Sequence, residues 1–338
     1  MGGQAGQPDR RVGRACGRRA DDAQPDPVHD AVPVEPRLWP RGVHRKFERG
    51  VRRGWSAERR GVGQVPDAAD GKAAGRGGKV ISDVVDPARA NALAVTLGLP
   101  DRFAAGDALP PFFHQIYFWE PQPAEALGRD GHPKTGVGLI PDMGLPRRMW
   151  AGGRLEFAAP FRAGVPAEKV SSIETTTRKD GRTGPLAFVT LRHDISQDGT
   201  LCIREFQDLV YREDPSPGAP APVTRAAPAD EQGEEVSVTT TTLFRYSALT
   251  FNGHRIHYDL DYAREVEMYP GLVTHGPLIA QHLMLKAVRE LGSLVGFSFR
   301  AASPLAHYEA LTLCRSGQEL WARAPDGRVV MEAVADAG

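Results

Sequence analysis

Two short stretches concentrate the side chains that could do chemistry. Residues 246–259 bring together Asn252, His254, His257 and Asp259. Residues 269–277 end on His275, Gly276 and Pro277, just ahead of an apolar-periodic run. An imidazole titrating near neutrality can take or give a proton during turnover, so His257 and His254 are candidates for general acid/base work. Asn252 carries no exchangeable acid/base proton, yet its amide can hold a water or a hydroxyl in place. At a helix start the first backbone N–H groups lack partners within the helix. Gly276 can therefore donate to a developing negative charge, whereas Pro277 has no N–H. Ordinary structural hydrogen bonding explains one histidine in a loop more readily than this combination.

These residues need elements to hold them. Ala280, Leu283, Met284, Ala287, Val288 and Leu291 recur at helical spacing, which predicts a helix over 277–291 with one buried face and a stop at Gly292. Thr- and Val-rich residues 236–243 predict a strand before the candidate loop. Strands are predicted again at 297–302, 306–314, 319–324 and 328–334, with glycine turns at 316–317 and 325–327. The same plan stands earlier in the chain. Asp86 and Pro87 open a helix that Gly98 closes. A loop-rich stretch runs over 99–148, followed by strands at 155–161, 170–177, 186–195 and 201–211, with turns at 179–182 and 197–199. A helix leading into an antiparallel meander, twice over, predicts an α+β chain with a long helix wrapped by a curved sheet in each half. A Pro/Ala-rich segment, 215–234, reads as the linker between halves 81–214 and 235–338.

Charge separates a third part. Forty-two Lys/Arg balance 42 Asp/Glu over 338 residues, but residues 1–80 carry 17 basic and 10 acidic side chains, a net of +7, leaving −7 for the rest. Those 80 residues hold 14 Gly, 7 Pro and a single Leu, too little apolar surface for a core. They read as a disordered basic tail without a role in function, in the Arg-over-Lys composition of a GC-rich coding sequence whose start is placed too far upstream. Interspersed acids and scattered aromatics argue against a nucleic-acid arm, and no secretory apolar region follows the start. No run approaches the roughly 20 apolar residues of a membrane helix. Three widely spaced cysteines, Cys16, Cys202 and Cys314, exclude a disulfide scaffold and a cysteine zinc site and fit a reducing cytoplasm.

The stretches SALTFNGHRIHYD (247–259) and YPGLVTHGPL (269–278), with PRRMWAGG (146–153) in the first half, resemble the MaoC-like (R)-specific enoyl-CoA hydratases and 3-hydroxyacyl-thioester dehydratases. The resemblance covers 81–338 and is strongest to the branch of mitochondrial-type thioester dehydratases and mesaconyl-C4-CoA hydratases. It implies a double hot-dog fold and reversible addition of water across an α,β-unsaturated acyl thioester through an enolate-like state. The substrate would be borne by CoA or acyl-carrier protein, with no cofactor, no metal and no nucleic-acid or membrane partner, and a homodimer is compatible with it. The wider family motif is Asp-x-Asn-Pro-x-His. Anchored on His257, the acid position holds Asn252, His254 stands where the family has Asn, and Arg255 where it has Pro. His257 is then the expected acid/base, Asn252 the residue orienting water, and His254 or Asp259 the group that sets the tautomer of His257 or shares the proton traffic. The Gly276 N–H is the expected donor to the thioester carbonyl. Arg147, Arg148, Trp150 and His275 are expected to face the substrate, the arginines through CoA phosphates.

Two other readings bear on the same residues. His257, Asp259 and His307 can be drawn as a 2-His-1-carboxylate iron site. The amide at 252 also fits an idle hot-dog protein that binds acyl-CoA without turning it over. The aromatic run 112–119 reads as core before it reads as an acyl pocket. Gly136-Val137-Gly138 lacks the third glycine of a dinucleotide fingerprint.

Overall fold

The structure, a computed structural model, describes Gly2 and residues 78–181, 184–214, 224–230 and 233–338. Apart from Gly2 and 78–80, the expected tail lies outside the described residues, as does most of the expected linker.

Among the described residues, ten antiparallel strands form one sheet. The first half supplies β1 (Lys79–Asp83), β2 (Arg147–Phe157), β3 (Ala167–Gly181), β4 (Gly184–Gln197) and β5 (Thr200–Arg212). The second supplies β6 (Glu234–Val236), β7 (Leu294–Ala301), β8 (Leu311–Ser316), β9 (Glu319–Arg323) and β10 (Val329–Ala337). The order β1-β3-β4-β5-β2-β7-β10-β9-β8-β6 reads the same from either edge once each strand is matched to the one five later. The halves therefore repeat one topology and join through β2 and β7. At that join Gly152 pairs with Arg300 and Gly153 with Phe299. A Cβ at Gly152 would stand 2.5 Å from the Phe299 carbonyl oxygen, so the close approach of the halves requires its glycine.

The helices depart from perfect repetition. Asp86 caps α1 (Pro87–Thr96), its carboxylate accepting from the Ala88 N–H. Its counterpart α2 (Thr240–Leu249) occupies residues expected as a strand. Thr239 caps it, Oγ1 accepting from the Thr242 N–H at 3.2 Å, and Leu243 and Tyr246 bury on one face. The threonine run suits a cap as well as a strand, and packing decides between them. The short α3 (Leu260–Glu265) follows, then α4 (Gly276–Leu291).

α4 has no equivalent of its length among the described residues of the first half, which corrects the expectation of a long helix in both. Five prolines and five glycines between 121 and 146 forbid one there. α4 also buries more than the single face expected: Leu278 through Ala287 are all buried. One side meets the sheet of the second half. On the other, Gln281 Nε2 donates to the Pro111 carbonyl at 3.0 Å. Phe112, Phe113, Ile116, Tyr117 and Phe118 of the aromatic run are core, joined to the same cluster as Leu278, Leu283 and Met284. Cys202 and Cys314 are buried free thiols, and no helix of the described residues is long and apolar enough to cross a membrane.

Candidate active site

His257 ends a 3-10 turn (Arg255–His257) between α2 and α3, and it is buried. Its Nδ1 lies 2.7 Å from the Val273 carbonyl oxygen. A carbonyl only accepts, so Nδ1 carries the proton and Nε2 presents a lone pair. The tautomer of His257 is thus set by a main-chain oxygen, which corrects the expectation that His254 or Asp259 would set it. Burial pushes the pKa down to about 4, so the ring is neutral at physiological pH.

His275, fully buried at the N-cap of α4, stacks on His257 with ring centroids 3.6 Å apart and planes 21° apart. Its Nε2 shares a 2.8 Å hydrogen bond with Ser247 Oγ on α2. Burial, then the neighbouring His257 and His254, hold its pKa well below the usual histidine value. The stack ties His257 to the first turn of α4, where the Gly276 N–H donates no hydrogen bond within the described residues. His254 packs edge-on to His257 at 5.3 Å, and burial first, with His132 and His257 next, pushes its pKa down to about 2.

The other expected residues are placed differently. Asn252 Oδ1 accepts from the His254 N–H at 3.0 Å, bracing the turn into the histidine pair. Asp259 does not face His257: Oδ1 caps α3 at the Tyr262 N–H, and Oδ2 takes two bonds from Arg255. Arg147 is buried in an ion pair with buried Glu267 at 2.6 Å and also donates to Tyr269 Oη. Its charge is spent internally, contrary to the phosphate role expected of it. Arg148 is half-buried, close enough to Tyr211 and His254 to bear on both, and one guanidinium nitrogen is buried without a partner. Trp150 packs against Phe112 and Phe299, its indole N–H donating to the Gly152 carbonyl.

Sequence reading missed residues 128–133 entirely. This loop of the first half docks on the histidine turn of the second. Arg255 N–H donates to the Asp130 carbonyl at 2.8 Å, and Arg255 Nη1 to the Arg129 carbonyl at 3.2 Å. The docking brings Asp130 and His132 to His254, with the rings of His132 and His254 4.4 Å apart. Asp-Gly at 130–131 was a readable turn signal, but nothing in the local pattern says where that turn lands. Gly131 has φ +86°, and a Cβ there would sit 2.0 Å from the Gly253 carbonyl oxygen. Gly131→Ala should therefore lower the melting temperature by several degrees. A left-handed alanine alone costs about 1–2 kcal/mol, and a backbone collision comes on top. Unchanged melting would contradict this docking.

Among the described residues, the His, Cys, Asp and Glu donors close enough to share a cation are Asp130, His132 and His254, within 4.8 Å of one another. His257, Asp259 and His307 do not form such a group. Both Asp130 oxygens already accept from His132, Oδ1 from its main-chain N–H and Oδ2 from Nδ1, each at 3.1 Å. The carboxylate is thus satisfied as a hydrogen-bonded pair. Burial opposes its ionisation, but His132 and His254 outweigh it and hold the Asp130 pKa at about 2.

A second feature opens beside this loop. A cavity of about 300 Å³ lies against the first-half sheet, bordered by Pro133 and by Thr250 and Phe251 at the end of α2. Its wall is polar. Buried Glu205 accepts from His114 Nε2 at 3.0 Å and from Gln115 at 2.8 Å, and Lys169 and His193 also line it. Burial works against the charge of Glu205, yet His114, His193 and Lys169 together hold its pKa below the usual range.

A buried neutral imidazole, an open helix N-terminus and an adjoining cavity suit proton transfer to and from a bound carbonyl compound, and chains of related sequence carry names of that kind. The family model of hydroxyacyl-thioester dehydratase type 2 matches residues 112–307. The chain is 44% identical over 268 residues to mesaconyl-C(4)-CoA hydratase of Chloroflexus aurantiacus, covering 76% of this chain and 94% of that protein. It is 28% identical to the mitochondrial hydroxyacyl-thioester dehydratase type 2 of Schizosaccharomyces pombe, over 70% of this chain and 89% of that one. In fold it resembles a MaoC-like dehydratase from Phytophthora capsici, with TM-score 0.56 at 14% identity, covering 78% of this chain and 96% of that one. It also resembles HtdX from Mycobacterium tuberculosis, with TM-score 0.55 at 16% identity, over 76% and 100%. The mirrored ten-stranded sheet is accordingly a double hot-dog, and the chain belongs to the hydroxyacyl-thioester dehydratase type 2 family.

Proposed function

We propose that this protein reversibly hydrates the double bond of an α,β-unsaturated acyl-CoA thioester, with His257 as an acid/base group and the Gly276 N–H as donor to the thioester oxygen. The observation that carries the reading is the state of His257. It is buried and neutral, and its Nδ1 is committed to Val273, so Nε2 is the nitrogen free to accept a proton. The ring stacks on His275, the N-cap of α4, which supports pairing the proposed proton acceptor with that helix N-terminus. As water attacks, charge moves onto the thioester oxygen, and a donor aimed at that oxygen is worth about 3 kcal/mol in the transition state.

The polar side of the cavity favours an acyl group with a polar far end. A hydrocarbon tail laid against the half-buried Lys169 would desolvate its ammonium without repaying it. A free carboxylate there would pair with Lys169. The relative named for mesaconyl-C4-CoA fits this preference, because the monothioester of a dicarboxylic acid keeps one free carboxylate. The test follows the loss of enoyl-thioester ultraviolet absorbance with purified protein. kcat/KM for mesaconyl-C4-CoA should exceed that for crotonyl-CoA by at least about tenfold, and Lys169→Met should erase most of the difference. Equal or reversed preference in the wild type would remove the polar-acyl reading. Binding of every thioester without absorbance change would remove the hydratase reading itself.

A further inference from the structure

The histidine motif lacks a carboxylate. Asn252 stands at the acid position and caps the turn through Oδ1, and Asp259 is committed to Arg255 and the start of α3. His257 acting alone would have to receive the proton of water and then deliver it to the neighbouring carbon, two tasks that a second group can divide with it. The structure brings a carboxylate to the motif from the other half of the chain. Asp130 holds His132 through two 3.1 Å contacts, one to its main-chain N–H and one to Nδ1, so Nε2 is the nitrogen directed away from the carboxylate. His132 packs on His254 at 4.4 Å, and His254 meets His257 at 5.3 Å, so three imidazoles lead from Asp130 to the expected base. Pro133, the next residue, lines the cavity against the first-half sheet. Backbone bonds from Arg255 and the facing glycines 131 and 253 fix the loop in this place.

We propose that Asp130 and His132 replace the carboxylate missing at position 252. His132 is the second proton-transfer group of the hydration, and Asp130 is the positioning residue that orients its ring. The inference rests on the hydratase reading above. The oxygen of water bonds to the β-carbon while one of its O–H bonds breaks, that proton passing to Nε2 of His257. The π electrons move toward the thioester and return to form a C–H bond at the α-carbon with the proton from Nε2 of His132. His257 then releases its proton to solvent while His132 regains one from solvent, and the net change is one water added. The titratable and charged groups that face this pair are His254 and His257 of the motif, Tyr262 of α3 and Arg255, which docks on the loop, while Arg148 on β2 bears on His254.

Steady-state kinetics on the full chain test this, with circular dichroism and melting to show that each variant is folded. His132→Gln should lower kcat at least 100-fold with KM nearly unchanged. Asp130→Asn should lower kcat about tenfold and move the alkaline limb of its pH profile to lower pH, because a proton on His132 loses its counter-charge. Adding Asn252→Asp to Asp130→Asn should recover most of that loss, since it restores a carboxylate beside the histidines. Wild-type kcat and pH profile in His132→Gln, with His257→Ala inactive, would overturn the proposal and leave the hydratase reading standing. Failure of Asn252→Asp to recover any activity would likewise overturn the exchange of one carboxylate for the other. Full activity in His257→Ala would instead sink the hydratase reading on which the proposal depends.

Discussion

Replacing His257 by alanine should lower kcat by about three to four orders of magnitude, the full contribution of a well-placed acid/base group. The size follows from the hydrogen-bond inventory around the ring. Nδ1 is committed to Val273, leaving Nε2 as the one nitrogen able to exchange protons, and the stacked His275 spends its own Nε2 on Ser247. Alanine would also strand the Val273 carbonyl, a cost of about 1–3 kcal/mol that could be mistaken for the catalytic effect. His257→Gln separates the two, because its amide N–H can still reach Val273 but cannot shuttle a proton. Both variants should be inactive, and the glutamine variant should melt closer to the wild type. Single-turnover measurement of enoyl-thioester loss decides the matter, and near-wild-type rates in either variant would remove His257 from the chemistry.

The second large effect is on stability in mild acid. His257 and His282 are both buried with pKa values lowered from 6.5 to about 4, in each case chiefly by burial. A histidine whose pKa is depressed in the folded state leaves the unfolded chain binding more protons as pH falls. Its contribution is therefore complete above about pH 6.5 and drains away as pH drops toward 4. Two such groups amount to about 5 kcal/mol between pH 7.5 and pH 4.5, a large share of a typical folding free energy. His254 and His275, also depressed, act in the same direction. The lowered carboxylate of Asp130 acts in that direction too, but only below about pH 4, its window lying between 3.8 and about 2. Denaturant midpoints measured across this range should fall steeply below pH 6.5. His282→Leu should flatten about a quarter of the slope, its share among the four depressed histidines, because that residue lies inside α4, away from the histidine row. A midpoint independent of pH between 7.5 and 4.5 would refute this account of the buried imidazoles.

Much of this arrangement was legible in the sequence, for reasons that are local. Asp86, Pro87 and Gly292 mark helix ends by their own conformational preferences, and the strands of both meanders follow from alternation and glycine turns. The motif 252–257 and the start of α4 were readable because their residue types are unusual in company. What escaped was set by packing between the halves. The threonines at 239–242 fit a strand or a helix cap, and burial of Leu243 and Tyr246 selected the helix. Arg147 looked like a phosphate ligand until Glu267 stood against it. Asp130 and His132 lie more than 120 residues before His254, in a stretch of prolines and glycines with no periodicity. Their meaning depends on a docking that only the folded chain reveals. The main-chain oxygen of Val273 carries no sequence signal, because every residue has one.

The loop at 128–133 makes activity a reporter of assembly. The motif stretches that mark this family lie largely in one half, and a fragment bearing them would look complete by sequence. Yet Gly131 against Gly253, Trp119 stacked on Phe251, and the Trp119 indole bonded to Leu249 splice the two halves within a few residues of Asn252. A substitution that loosens any of these splices can silence the enzyme while every motif residue stays in place. Inactive variants will therefore map far beyond the histidines, onto a seam that neither half possesses alone.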